Sequence, residues 1–212
     1  MKKIITVIMV TVVCLGADEG KALILNDGGV HTVDWIIDEP VSVEDSPGGD
    51  FTTLNLIDGG EISDWLNVLD YSQINLSGGS IGYDLFAYDF TNTTISSGSI
   101  GYDLYAFDYS QVELTGGSIG EIISAREYSQ VTIFGSDFAV DGIPIGYGPI
   151  TEGTINELGM LTGTLTGTLV NGDFLNNDFD IDPDASIYLI PEPASIMFLG
   201  LGALWLRRRN KM

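Results

Sequence analysis

Four carboxylates recur at one interval in this chain: Asp70, Asp89, Asp108 and Glu127, each nineteen residues after the last. Stacked about 4.8 Å apart, as neighbouring strands would place them, like charges repel by about 1 kcal/mol in water and about 3 to 4 kcal/mol at an effective dielectric of ~20. Such a column must stay well solvated or gather cations. Calcium takes oxygen ligands in irregular geometry, so Asp70, Asp89 and Asp108 are the metal candidates, and calcium is the one cofactor the residues suggest. Asp178, Asp180, Asp182 and Asp184 raise the same chemistry. That run lacks the glycine and the twelfth-position Glu of an EF-hand loop, and the interleaved Phe179 and Ile181 point instead to the outward side of a strand.

Catalysis finds little support. His31 is the only histidine and Cys14 the only cysteine, so no nucleophile, base and orienting group can be assembled around an imidazole. Asp84 and Asp103, with Arg126, are the charged set to inspect for acid and base chemistry. The expectation is that the chain is not an enzyme. A binding chemistry is easier to write: Phe86, Tyr88, Tyr105 and Phe107 alternate with Leu85, Ala87, Leu104 and Ala106. If the aliphatic set faces inward, the four rings face outward as a patch that could contact a glycan or a protein partner.

The elements that would position these groups follow from a repeat. Cut every nineteen residues from Gly59, the chain gives four gapless units, 59 to 77, 78 to 96, 97 to 115 and 116 to 134. The fourth column is Ile62, Ile81, Ile100 and Ile119, and the eighth is Leu66, Leu85, Leu104 and Ile123. Within each unit the apolar positions lie two apart, which is strand spacing with one side buried. Each unit therefore reads as one coil of a β-solenoid. Four buried aliphatics at about 2 kcal/mol each fall short of the backbone ordering cost of about 1 to 1.5 kcal/mol per residue, so a coil is stable only in a stack. The unit does not divide into hexapeptides, which favours a right-handed parallel β-helix. Column fifteen, Gln73, Asn92, Gln111 and Gln130, reads as an amide ladder. It is preceded by a hydroxyl column (Ser72, Thr91, Ser110, Ser129) and an aromatic column (Tyr71, Phe90, Tyr109, Tyr128), both expected to support the stack.

The ends are of another kind. Lys2 and Lys3 precede the apolar run Ile4 to Leu15, and small residues follow, the outline of a secretory signal cut after Ala22 or Ala17. Val13 before Cys14 argues against a lipoprotein. At the other end Pro191-Glu192-Pro193 stands before an apolar stretch from Ala194 to Leu206, closed by Arg207, Arg208, Arg209 and Lys211. Thirteen apolar residues are short for a span of roughly twenty, though basic side chains can snorkel, and the basic tail would stay cytoplasmic. This segment resembles the PEP-CTERM sorting signal of bacterial surface proteins. The resemblance implies an exosortase-like processing enzyme as partner and transient anchoring in the inner membrane, with Pro191, Glu192, Pro193, Arg207, Arg208 and Arg209 as the sorting signal.

From Leu23 to Ile190 the chain carries 27 acidic residues against the single basic Arg126. Nucleic acid and anionic lipid are repelled by such a surface. Water, cations, and neutral or cationic polymers such as an exopolysaccharide remain as partners.

The expected organisation is thus a signal peptide (1 to 22), an N-terminal cap with a degenerate coil (23 to 58, TTLNLIDGG resembling a coil with one residue inserted), four coils (59 to 134), a β-rich C-terminal cap (135 to 190) and the sorting segment (191 to 212). Helices are expected only in the signal and the sorting segment. In the cap, Asn171-Gly172 between alternating arms signals a two-residue hairpin. Function is expected to be that of an exported cell-surface or extracellular-matrix structural or adhesive protein. The alternative is a polysaccharide-binding module using the outward rings.

Overall fold

A computed structural model describes residues 22–192. The leader, with Cys14, and the sorting residues Pro193, Arg207, Arg208 and Arg209 lie outside the described residues. Every regular element described is a strand, and no described helix is long and apolar enough to cross a membrane.

The strands wind into a parallel solenoid of about six coils, roughly triangular in section. Coil one is β1 (Leu23–Leu25), β2 (Val30–Val33) and β3 (Ile36–Ile37), and coil two is β4 (Val41–Val43), β5 (Thr53–Leu56) and β6 (Glu61–Ile62). Coil three is β7 (Leu66–Val68) and β8 (Gln73–Ile81), and coil four is β9 (Leu85–Ala87) and β10 (Asn92–Ile100). The long β8 and β10 each bend round a corner to supply two sides. Coil five is β11 (Leu104–Ala106), β12 (Gln111–Leu114) and β13 (Ser118–Ile119), and coil six is β14 (Ile122–Ala125) with the start of β15 (Gln130–Val140).

On the first side β1, β4, β7, β9, β11 and β14 pair in parallel in that order. On the second, β2, β5, β8, β10, β12 and β15 do the same. The third side is β3, β6, the ends of β8 and β10, and β13. From coil three onward partners are nineteen residues apart, as in Leu85↔Leu104 and Leu104↔Ile123. The pairing Thr53↔Gln73 carries the one inserted residue of TTLNLIDGG. Parallel pairing also reaches back to Leu23, where Leu23↔Val41 and Val30↔Thr53 keep the pattern after the sequence period has dissolved.

The interior is a set of aliphatic columns. Ile62, Ile81, Ile100 and Ile119 lie one above another and are buried, as are Leu66, Leu85, Leu104 and Ile123. Between the third and first sides of coils four to six the backbones approach so closely that only glycine fits, although Ser63 holds the same column in coil three. A methyl at Gly101 would strike the Gly82 carbonyl, and one at Gly120 would strike that of Gly101. The hydroxyl column turns inward at the next corner: Ser72, Thr91, Ser110 and Ser129 are fully buried.

After coil six the chain leaves the parallel pattern. β16 (Ile143–Pro144) folds back on β15, and β17 (Gly148–Pro149) and β18 (Thr154–Ile155) follow. β19 (Leu161–Leu169) then turns at Asn171-Gly172 into β20 (Phe174–Ile181), antiparallel to it, with Gly172 at φ 93°. β20 lies parallel on β14, and β21 (Ser186–Pro191) lies parallel on β15, closing that end of the stack.

Candidate functional site

The acid column stands at the corner between the first and second sides. Asp70, Asp89, Asp108 and Glu127 all adopt the left-handed conformation, with φ of 61°, 52°, 54° and 56°. That region is strained for most side chains and is tolerated by Asp and Asn, whose short polar groups bond locally. Here the bonds run between coils. The Asp70 N–H donates to Asp89 Oδ2 at 3.1 Å, and the Asp89 N–H donates to Asp108 Oδ2 at 3.1 Å. Asp45 N–H donates to Asp70 Oδ2 at 3.3 Å below them, and Glu127 N–H to Asp182 Oδ2 at 3.1 Å above. Each of the three aspartate carboxylates therefore caps a corner amide of the coil before it. The crowding shows in protonation: the Glu127 carboxyl is pushed up by hydrogen bonding and charge from Asp108, and Asp45 is pushed up by burial and then by the charge of Asp70. Among the described residues no three His, Cys, Asp or Glu side chains group as a metal site would require. Asp70, Asp89 and Asp108 form a linear file bonded to backbone amides.

At the opposite corner a second file runs with the reverse sense. Asp103 N–H donates to Asp84 Oδ1 at 3.0 Å, and Ile122 N–H donates to Asp103 Oδ1 at 2.9 Å. Asp84 and Asp103 are thus engaged in capping. Arg126 closes another network, donating from Nε to Ser124 Oγ at 2.7 Å and pairing with Asp180 at 3.1 Å and Asp182 at 3.7 Å. It ties the cap to coil six. His31 lies on coil one, with Nε2 2.8 Å from Asp27 Oδ1, and holds that carboxyl below its usual range.

The four outward rings come together as the alternation requires. Leu85, Ala87, Leu104 and Ala106 are fully buried beneath them. Phe86 stacks on Tyr105 at 5.1 Å and 5°, and Tyr88 stacks on Phe107 at 5.0 Å and 8°. The rings are half-buried, and along the stack each spends a face on its partner. Tyr105 Oη donates to Asp103 Oδ2 at 2.7 Å. Desolvation first, and that hydrogen bond second, push its phenol up to about 12.

The more exposed aromatic feature is the column expected only to support the stack. Tyr71, Phe90, Tyr109 and Tyr128 project outward at the acid-column corner, with centroid separations of 5.1, 5.1 and 5.2 Å and planes within 9°. Phe51 extends the column at 5.9 Å. All five rings are between 48% and 58% exposed. Each ring sits in the corner turn directly before a buried hydroxyl, Ser72, Thr91, Ser110 or Ser129. Phe51 falls before the gapless period and is hidden by the inserted residue. The glutamine column is in register, but the one amide-to-amide bond between coils among the described residues is Asn75 Nδ2 to Asn55 Oδ1 at 2.9 Å. The four aspartates of the cap divide: Asp178 accepts from Thr164 Oγ1, Asp180 and Asp182 hold Arg126, and Asp184 is exposed.

No protein-family profile, no curated protein and no solved structure matches this chain.

Proposed function

We infer that the protein is an exported, C-terminally sorted component of the bacterial cell surface or extracellular matrix, structural or adhesive in role and without catalytic activity. The solenoid is read as right-handed. The tail resembles a PEP-CTERM signal, so an exosortase-like enzyme is its processing partner, with transient anchoring in the inner membrane before release or attachment.

The observation that carries the reading is the junction between fold and tail. Pro191, the first residue of the Pro-Glu-Pro element, is also the last residue of β21, where it faces Gly135. On this reading the last strand of the domain leads in sequence straight to the sorting segment, which supports a rigid body displayed close to the point of anchoring. A surface with one described cation, already paired with two aspartates, suits a hydrated matrix and repels nucleic acid. The charged residues weighed for catalysis, Asp84, Asp103 and Arg126, have structural duties that account for them.

Replacing Pro191 and Pro193 with Ala should give an unprocessed, membrane-retained form in the native host. A mature native protein that still carries Arg207 to Met212 would overturn the sorting reading. The alternative of polysaccharide binding through Phe86, Tyr88, Tyr105 and Phe107 has the outward position in its favour. The Tyr88→Ser, Tyr105→Ser double variant separates the two: lost stability with unchanged adhesion assigns the rings to the fold, and lost adhesion at unchanged Tm assigns them to contact.

A further inference from the structure

We propose that the outer aromatic column Phe51, Tyr71, Phe90, Tyr109 and Tyr128 is a docking strip for a linear polymer of amino sugars bearing free ammonium groups. The proposal rests on the adhesive reading above and names the partner's chemistry.

The strip is continuous over five coils, with neighbouring centroids 5.1 to 5.9 Å apart. About half of each ring is open to solvent, a contiguous apolar surface of the kind that marks an interaction site. Its charge selects the occupant. Asp70, Asp89, Asp108 and Glu127 each directly precede a ring. Each aspartate carboxylate uses Oδ2 on a neighbouring amide; Asp70 is exposed and Asp89 half-buried, and Asp108 also bonds to the Glu127 carboxyl. The only described cation, Arg126, is held by Asp180 and Asp182. Uronic acid polymers and phosphate polymers are repelled there, whereas an ammonium gains a charge-assisted hydrogen bond.

Pitch selects between cationic polymers. One ring and one carboxylate recur every 5.1 to 5.2 Å along the regular part of the strip. Successive sugars of an extended β-1,4-linked hexosamine chain turn over, so its same-side ammonium groups recur every second sugar, a spacing close to two coils, and can meet alternate carboxylates while the sugars lie along the outward edges of the stacked rings. An extended peptide rises about 3.3 Å per residue, and its same-side groups fall every ~6.6 Å, out of step with the coils. Repetition then makes weak single contacts additive along the strip.

The test measures binding to the protein as its native host exports it, by calorimetry with a glucosamine octamer, its fully N-acetylated counterpart and octalysine. The expected order is the glucosamine octamer tightest, with each of the others at least tenfold weaker. In Asp89→Asn, Asp108→Asn the amide oxygen can still accept the neighbouring N–H and Asn tolerates the left-handed turn, so the fold is kept and octamer binding should fall at least tenfold. Phe90→Ser, Tyr109→Ser should lose binding with an unchanged circular dichroism spectrum. Octalysine binding as tightly as the octamer, full binding by either variant, or no octamer binding at millimolar concentration would overturn the strip. Tail processing tested at Pro191 and Pro193 is read separately, so failure here and failure of the sorting assignment are distinguishable.

Discussion

In the coils, Ile100 packs between Ile81 and Ile119, a like residue on either side. In the cap, Phe179 packs over Gly163, and Phe138 sits where a methyl on Gly167 would collide with it. The buried Asn177 is held by donating to the Ile119 and Glu121 carbonyls at 2.8 and 3.0 Å, and Arg126 is held by Ser124, Asp180 and Asp182. The stack is secured by translation: one solution, copied at each coil, supplies core, corner and amide caps. The cap is secured by single contacts that occur once. Repetition spreads the cost of any defect to two neighbours, whereas a single contact concentrates it in one hairpin, so the two regions should fail in different ways.

The largest effect is expected at Ile100→Asp. The column position is buried, and a carboxylate there has no partner from either neighbouring coil, a loss of several kcal/mol by the usual cost of an unpaired buried charge. Because coils depend on their neighbours, the variant should lose its cooperative urea transition altogether. A variant that unfolds only its own coil, with coils one and two still protected, would break the idea of a single cooperative column.

Arg126→Ala tests the other mode of failure. Removing the guanidinium leaves the partly buried Asp180 and Asp182 without their cation, at a cost of about 2 to 4 kcal/mol. Amides of β19 and β20 should exchange faster, while those of β9 to β12 keep their protection. Equal loss of protection in both regions would mean that the cap and the stack form one unit.

Thr93 offers a smaller change of opposite sign. It occupies the apolar column of Ile74, Val112 and Val131, and its Oγ1 is buried with no hydrogen-bond partner. Thr93→Val replaces that hydroxyl with a methyl of similar size and should stabilise the protein by about 1 to 2 kcal/mol. An unchanged or lower urea midpoint would show that the column tolerates a polar defect without cost.

The same contrast explains which features are legible in the amino-acid sequence. A gapless period of nineteen makes the buried columns, the four outward rings and the acid file readable from spacing alone, because a solenoid turns sequence spacing directly into stacking. Coils one and two obey the same geometry, but the long turn from Glu44 to Thr52 and one inserted residue conceal it. The hairpin at Asn171-Gly172 is legible because its turn chemistry is local. The clasp of Arg126 on Asp180 and Asp182 spans more than fifty residues with no periodic relation, so nothing in the spacing can reveal it. The corner aromatics are legible as a column but not as an exposed one, since period-two alternation does not say which way a residue points where the chain turns.

The smallest expected effect joins the two regions. Tyr105 belongs to the stack, and its phenol is pushed up to about 12 by burial, by the bond to Asp103, and by surrounding carboxylates that include Asp180 of the cap. In the unfolded chain a tyrosine titrates near 10. Between these values the folded protein keeps a proton that the unfolded chain has released, so stability falls as pH rises. The contribution is fully present below pH 10 and is lost as pH approaches 12. Tm should therefore drop from pH 9 to pH 11, and the drop should be smaller, though not abolished, in Tyr105→Phe, because Tyr88 is also pushed up by burial and by Asp108. In Arg126→Ala, release of the cap would carry Asp180 away from the ring, so the Tyr105 phenolate should appear at lower pH than in the parent protein. A Tyr105 titration unmoved by that substitution would place Asp180 where it was, and with it a cap that stays seated without its clasp.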